Sequence, residues 1–264
     1  MKEIEINSVY EFIRYIENNP GLNNFWYRGV ASDEFQTVPG LVWRNARKVE
    51  SPLEHEFLVN YRCYSQYENL SPWETYALMQ HHGLPTRLLD WTNSALIALF
   101  FALYSEPDLD TDRVVWVMNP FALNEVTNGS ATLHCPSIVA DPALLQTAEG
   151  KQDINSYLPP NLRPRMETGL PEKPLAVATT QHITRVNTQK GCFTVHGSAD
   201  EPISTYIDNE DDFYMLRIKA SSKKTRQRML DVLGELGIDE VFVFQDLDHL
   251  CRNIERTWVH EGNL

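Results

Sequence analysis

The densest set of chemically versatile side chains lies between Met79 and Asn93. Amide, imidazole, hydroxyl, guanidinium, carboxylate and indole groups follow one another there: Gln80, His81, His82, Thr86, Arg87, Asp90, Trp91, Thr92 and Asn93. Such groups can bind a ligand through hydrogen bonds or transfer protons. The next segment, Ala95–Leu103, is apolar at every position, which is typical of a helix buried on all sides. Because a buried helix holds its neighbours rigidly, this stretch is the first candidate for a functional site.

A second candidate is an arginine near the end of an aromatic segment. The run Phe25–Tyr27 is typical of a strand, and Arg28 stands between these rings and Gly29. Glycine allows a ligand or another backbone to approach closely. A guanidinium can bind a phosphate through two parallel hydrogen bonds, and the amino terminus of the helix expected near Asn93 favours anions. If these segments meet, they suit a nucleotide or dinucleotide.

Structural interpretations remain open beside these functional ones. Arg87 and Asp90 are three positions apart and could form a structural salt bridge, and Arg28 could belong to a surface ion pair. Adjacent histidines such as His81 and His82 point in different directions on a helix. Since no further ligand follows at a spacing of three or four, we expect no metal site. Phosphoester hydrolysis, with His81 as base oriented by Asp90, is a further alternative.

Composition limits the class of protein. The 264 residues can bury a substantial core, and the formal net charge of −13 argues against nucleic-acid binding through bulk electrostatics. We find no apolar run of a signal peptide and no transmembrane segment. The four scattered cysteines form no CxxC pair and are typical of reduced thiols. We therefore expect a cytoplasmic protein without membrane partners.

Capping and turn residues predict most of the elements. Ser8, Ser71 and Ser222 should each begin a helix. Strands are predicted at 25–30, 86–91, 112–119, 175–179, 213–218 and 240–244, a hairpin at 183–195, and helices at 9–18, 53–69, 72–82, 222–236 and 247–259. The strand–helix–strand order of the tail predicts one right-handed crossover unit.

The chain is predicted to form a single domain, 1–264, in three parts. Residues 8–126 form a helical half with the Arg-Gly strand, and residues 175–264 form a half of sheet and helix. Between them, 127–174 is rich in proline and poor in periodic apolar residues. An irregular segment of this length is typically a lid, a partner-binding loop or a mobile loop.

Three segments resemble the FRG domain family: Phe25–Gly29, Gln80–Thr92 and Ala98–Ala102. The family is named for a Phe-Arg-Gly motif, which is Tyr27-Arg28-Gly29 here. Segments 189–197 and 246–250 resemble its later motifs, so the resemblance extends from about residue 8 to 255. The family is bacterial and occurs in mobile and defence-associated settings. The resemblance therefore implies a toxin or anti-phage defence effector, with an antitoxin or another defence protein as a partner.

More distantly, the chain is similar to ADP-ribosyltransferases of the arginine–serine–glutamate type. Arg28-Gly29 matches their first strand, 90–92 takes the place of their Ser-Thr-Ser strand, and 191–195 resembles their Gly-x-Phe-x-Val strand. This similarity implies that Arg28 binds NAD and that the strand bearing Thr92 supports its nicotinamide. Where those enzymes carry glutamate, this chain has Arg185, Asn187 and Gln189. Gln189 can bond a ribose hydroxyl without adding charge, so Asp90 is the candidate for the electrostatic role.

We therefore expect an α+β fold of the ADP-ribosyltransferase type, with a mixed, mostly antiparallel sheet split into two halves under an amino-terminal helical layer. One cleft should collect the catalytic candidates Arg28, Asp90, Gln189 and His81 and the NAD-binding candidates Arg28, Gln80, Thr86, Arg87 and Thr92. The expected function is binding of NAD or a related nucleotide, as an ADP-ribosyltransferase or NAD glycohydrolase acting on a nucleotide or protein target. The alternative is a non-catalytic ligand-sensing or protein-interaction module of a defence system.

Overall fold

The computed structural model describes residues 1–64, 67, 69–137, 144–147, 150–163, 169–178 and 189–260. Its strands are β1 (Glu3–Ile6), β2 (Trp26–Val30), β3 (Leu88–Thr92), β4 (Arg113–Met118), β5 (Leu144–Thr147), β6 (Gly150–Asp153), β7 (Leu175–Val177), β8 (Gly191–Val195) and β9 (Phe213–Ile218). Its helices are α1 (Val9–Glu17), α2 (Gly40–Trp43), α3 (Glu50–Asn60), α4 (Pro72–His81), α5 (Ala95–Tyr104), α6 (Pro120–Asn128), α7 (Lys223–Glu235), α8 (Glu240–Phe244) and α9 (Leu247–Glu255).

Seven strands form one sheet in the order β1-β9-β4-β2-β3-β8-β7, and β5 pairs separately with β6. Only β1 and β9 run parallel among the pairs of this sheet within the described residues. The predicted α+β class and the mixed, mostly antiparallel sheet are therefore confirmed.

The sheet has one narrow junction, between β2 and β3. These strands share a single paired position, Tyr27 with Thr92, whereas β2 pairs with β4 and β3 pairs with β8 over their full lengths. Beyond this position β2 and β3 are not paired with each other. The sheet therefore has two well-paired groups of strands, β1-β9-β4-β2 and β3-β8-β7, that meet at one point.

Alternate residues of the central strands pack on opposite faces of the sheet. Tyr27, Val115 and Leu216 face a layer made of α1, α5 and α7. Trp26, Trp116 and Met215 belong to a second cluster, separate from the first. The helical layer thus includes a carboxyl-terminal helix as well as the expected amino-terminal ones.

Helix α5 lies very close to β2. A β-carbon built on Gly29 would be 1.8 Å from the carbonyl oxygen of Ala98 and 2.6 Å from the amide nitrogen of Ala102. Only glycine permits this approach. The glycine after Arg28 is therefore explained by packing of the buried helix against the strand.

Most predicted helix starts agree with the structure. Ser8, Ser71 and Ser222 accept hydrogen bonds from backbone amides in the first turns of α1, α4 and α7. Helix α5 begins close to the expected position near Asn93, but its cap is Ser94, whose side chain makes no capping bond. The Thr92 hydroxyl instead accepts a bond from the Ser94 amide at 3.0 Å.

The predicted strand at 240–244 is wrong, and with it the predicted crossover unit. This segment is helix α8, which begins where the Asp239 carboxylate accepts a bond from the Phe242 amide at 2.7 Å. Both edges of β9 are already paired, one with β1 and the other with β4. No position beside β9 was available for a further strand.

Other local predictions are refined. The segment 39–47, where the sequence predicted no helix or strand, contains α2. The helix expected at 53–69 is α3, which ends at Asn60. The described parts of 127–174 include β5 and β6. The first strand of the expected 183–195 hairpin lies outside the described residues. None of the described helices combines the length and the apolar character needed to cross a membrane.

Candidate functional site

Arg28 and Asp90, which lie 62 residues apart in the chain, line the same cavity of about 350 Å³. The cavity lies where β2 and β3 diverge, below the carboxyl-terminal half of α5. Six of the eight predicted site residues line it: Arg28, Gln80, His81, Asp90, Thr92 and Gln189. The aromatic residues Tyr27, Phe35, Trp91 and Phe101 also belong to its lining.

Arg28 bridges the gap between the two diverging strands. Its Nη1 donates to the backbone carbonyl of Asp90 at 2.9 Å. Its Nε is buried and has no hydrogen-bond partner among the described residues. Burial lowers the pKa of the Arg28 guanidinium, and the nearby Asp90 charge raises it. An arginine remains protonated in proteins, so the cavity contains a positive charge with an unused N–H donor.

The Asp90 carboxylate is held by a chain of hydrogen bonds that begins in the backbone of β3. The Leu88 amide donates to Thr86 Oγ1 at 3.0 Å, and the Thr86 hydroxyl donates to Gln80 Oε1 at 2.6 Å. Gln80 Nε2 then donates to Asp90 Oδ2 at 2.7 Å. This chain fixes which way the Gln80 amide points. Thr86 is fully buried and does not line the cavity, so it positions Gln80 instead of contacting a ligand.

Arg87 also lies away from the cavity, contrary to expectation. Its guanidinium forms a buried ion pair with Glu50, and its backbone amide donates to the Tyr76 hydroxyl at 2.7 Å. The structural interpretation, in which Arg87 forms a salt bridge, is correct, although its partner differs. The partner is Glu50 of α3 rather than Asp90, because the Arg87 side chain points into the core below α4.

Thr92 and Gln189 are tied to the surrounding backbone. The Thr92 hydroxyl donates to the Gln189 carbonyl at 2.6 Å, and Gln189 Nε2 donates to the Val243 carbonyl at 3.1 Å. Gln189 therefore lines the cavity with its amide nitrogen already engaged. Its position is set by α8, the element that the sequence wrongly predicted as a strand.

The helix terminus at the cavity is not the expected one. No residue of the first turn of α5 lines the cavity, whereas Phe101 and Ser105, at the carboxyl-terminal end, do. That end carries the negative pole of the helix dipole and disfavours an anion. Arg28, not the helix, is therefore the group that could bind a phosphate here.

Glu106 is a cavity residue that sequence reasoning missed. It follows α5 directly, in a left-handed backbone conformation with φ of 46°. Arg113 fixes this turn, because its fully buried guanidinium donates to the carbonyls of Ser105 and Glu106 at 3.2 and 3.0 Å. The cavity is thus lined by two acidic residues, Asp90 and Glu106, beside Arg28.

His81 lines the cavity from the last turn of α4, and its ring meets that of His82 edge-on with centroids 4.9 Å apart. Within the described part of the chain, no group of three or more histidine, cysteine, aspartate or glutamate residues is arranged to hold a metal ion.

Comparison with known protein families identifies the part of the chain that contains most of this cavity. Residues 23–111 match the family model of the FRG domain. This segment is an FRG domain. It contains Arg28, Gln80, His81, Asp90 and Glu106, so most of the cavity's polar groups belong to it. The FRG match ends well before 189–197 and 246–250, and the resemblance of those segments stays a prediction. Searches of curated proteins and of solved structures found no match.

Proposed function

We propose that the cavity of the FRG domain binds NAD or a related nucleotide and that the protein is ADP-ribosyltransferase-like. The observation that carries this proposal is the meeting of Arg28 and Asp90 in one cavity of about 350 Å³. Small-molecule sites commonly have volumes of roughly 300–1,000 Å³. A cavity at the lower end of this range suits one half of a dinucleotide, with the other half outside it.

The chemistry of the walls favours the nicotinamide–ribose half. Breaking the bond between nicotinamide and ribose leaves positive charge on the sugar, which a nearby carboxylate stabilises. Asp90 and Glu106 are the two acidic residues of the lining, and the less buried rings of Phe35 and Phe101 are the candidates to contact the flat nicotinamide. Arg28 is placed to bind the adjoining phosphate. Attack by water would then release ADP-ribose, and attack by a protein side chain would transfer it.

The test is incubation with NAD labelled separately on nicotinamide and on adenine. We expect nicotinamide release by the wild type, with or without labelled protein, and a loss of about 100-fold for Asp90→Asn or Glu106→Gln, as for other electrostatic groups at reacting centres. Asp208→Asn, an exposed carboxylate outside the cavity, is the matched control and should behave as wild type. Absence of both NAD binding and nicotinamide release would remove the proposal.

A bacterial toxin or anti-phage effector is the biological role that fits this activity. Expression in bacteria should then deplete NAD or slow growth, and Arg28→Met should relieve the effect at equal protein level. An antitoxin or another defence protein is the partner proposed for such a system.

One observation favours the alternative, a non-catalytic sensing or interaction module. The polar groups of the cavity already bond one another: Gln80 to Asp90, and Thr92 and Gln189 to backbone carbonyls. The glutamate expected before β8 is also replaced by Gln189. A module would bind a ligand or partner without releasing nicotinamide, and Asp90→Asn would change only the capture of that partner.

A further inference from the structure

A second cavity, of about 480 Å³, adjoins the first and shares one lining residue with it. His81 lines both. The other walls are mostly aromatic: Phe57, Tyr61, Tyr64, Tyr67 and His82, with Leu78 at the base. We call this space the aromatic cavity. It is formed by α3, the described tyrosines that follow it and the end of α4.

The rings of the aromatic cavity present flat faces. Phe57 and Tyr61 are stacked almost parallel, with centroids 5.1 Å apart and an angle of 8° between their planes. Tyr64 leaves 90% of its surface exposed. Exposure of so large a ring costs hydrophobic free energy that burial under a ligand would recover. Phe57 is half-buried, so its ring already belongs partly to the wall.

The described lining of the aromatic cavity suits a planar ring. Among the described residues, no aspartate, glutamate, lysine or arginine lines the aromatic cavity. Tyrosine hydroxyls and imidazole nitrogens can bond the polar edges of a heterocycle, and aromatic side chains stack on any nucleobase face. A methylated ammonium is the other usual guest of aromatic side chains. It is far smaller than this space of about 480 Å³.

We propose that the aromatic cavity binds the purine ring of the nucleotide whose ribose end occupies the Arg28–Asp90 cavity. This inference rests on the proposed function: His81 lines both cavities, so a nucleotide that occupied both would pass this residue. The net charge of −13 disfavours a nucleic-acid chain as the source of the base. A free purine nucleotide is therefore the occupant.

Binding to each cavity can be measured separately with one half of the dinucleotide. Adenosine monophosphate carries the purine, and nicotinamide mononucleotide carries the other half. We would measure the dissociation constants of both, and of NAD, by isothermal titration calorimetry. Tyr61→Leu and Tyr64→Leu remove aromatic faces but keep apolar side chains. Tyr10→Leu, at a 70% exposed tyrosine on α1 outside both cavities, is the control. Each cavity variant should bind adenosine monophosphate and NAD about ten-fold more weakly, within the usual contribution of base stacking.

The outcomes distinguish this inference from the proposed function. Unchanged nicotinamide mononucleotide affinity in Tyr61→Leu and Tyr64→Leu, with weaker adenosine monophosphate binding, supports it. If nicotinamide mononucleotide binds the wild type but adenosine monophosphate does not, the inference fails and the proposed function stands. If only adenosine monophosphate binds, and the two variants lose it, the purine site stands without the proposed function. Tighter binding of oligo(dA) or of tetramethylammonium than of adenosine monophosphate would overturn the choice of ligand.

Discussion

The substitution Gly29→Ala tests how closely the buried helix is seated on the strand that carries Arg28. The new β-carbon would lie 1.8 Å from the Ala98 carbonyl oxygen, and real β-carbons essentially never approach closer than 3.0 Å. The strand and α5 would therefore have to separate by about 1.2 Å. The β-carbon would also lie 2.6 Å from the Ala102 amide nitrogen. Because both atoms that it would meet belong to the backbone of α5, no side-chain rotation can relieve the clash.

We expect Gly29→Ala to lower the free energy of unfolding by about 3 kcal/mol or more, the upper end of the cost of overpacking a core. The total stability of a domain is only about 5–15 kcal/mol, so the variant should be visibly weakened in urea unfolding followed by circular dichroism. The shift of α5 also displaces Phe101 and Ser105 from the cavity, so ligand binding should fall with stability.

The control for this experiment is Gly234→Ala in α7. No heavy atom within 4 Å would meet its β-carbon, and its φ is not positive. Because alanine has a higher helix propensity than glycine, the free energy of unfolding of this variant should rise by up to about 1 kcal/mol. A Gly29→Ala protein within about 0.5 kcal/mol of the wild type, the usual spread of neutral surface changes, would refute the close packing of α5 on β2.

Two further predictions concern buried charge. Arg87→Met leaves Glu50 buried without its partner and should cost about 3–5 kcal/mol in urea unfolding; Lys2→Met, which removes an exposed ion pair, should cost under about 1 kcal/mol, and equal costs would contradict the structure. Burial, helped by the Arg47 charge, lowers the pKa of His196 from 6.5 to about 3. In the unfolded chain His196 is protonated below about pH 6.5, whereas in the folded chain it stays neutral down to about pH 3. The free energy of unfolding therefore falls as the pH falls from 6.5 to 3. Between pH 7 and 5, the free energy of unfolding of His196→Leu should fall by about 2 kcal/mol less than that of the wild type. If the free energy of unfolding of both proteins changes equally with pH, His196 does not cause this dependence.

The sequence predicted the features that depend on neighbouring residues. Ser8, Ser71 and Ser222 are local caps, and the structure uses all three. The apolar segment after Ser94 was recognisable as a buried helix because no polar face interrupts it. The arginine between aromatic residues and a glycine also indicated an unusual environment for Arg28.

The features that the sequence did not predict depend on distant contacts. The run at 240–244 contains β-branched and aromatic residues suited to a strand, but β1 from the other end of the chain already occupies the free edge of β9. Arg87 pairs with Glu50, 37 positions away, so spacing along the chain pointed to the wrong carboxylate. Glu106 lines the cavity from the turn after α5, and its backbone carbonyl accepts a hydrogen bond from Arg113 of β4.

The most direct test of the central claim is the affinity for nicotinamide mononucleotide of the wild type and of Arg28→Met, compared at equal folded fraction. Loss of a charged hydrogen bond to a phosphate costs about 1.5–3 kcal/mol. The dissociation constant should therefore rise at least ten-fold in Arg28→Met, while the Asp208→Asn control keeps the wild-type value. Equal affinity of wild type and Arg28→Met, or no binding by the wild type, would contradict a nucleotide site between Arg28 and Asp90.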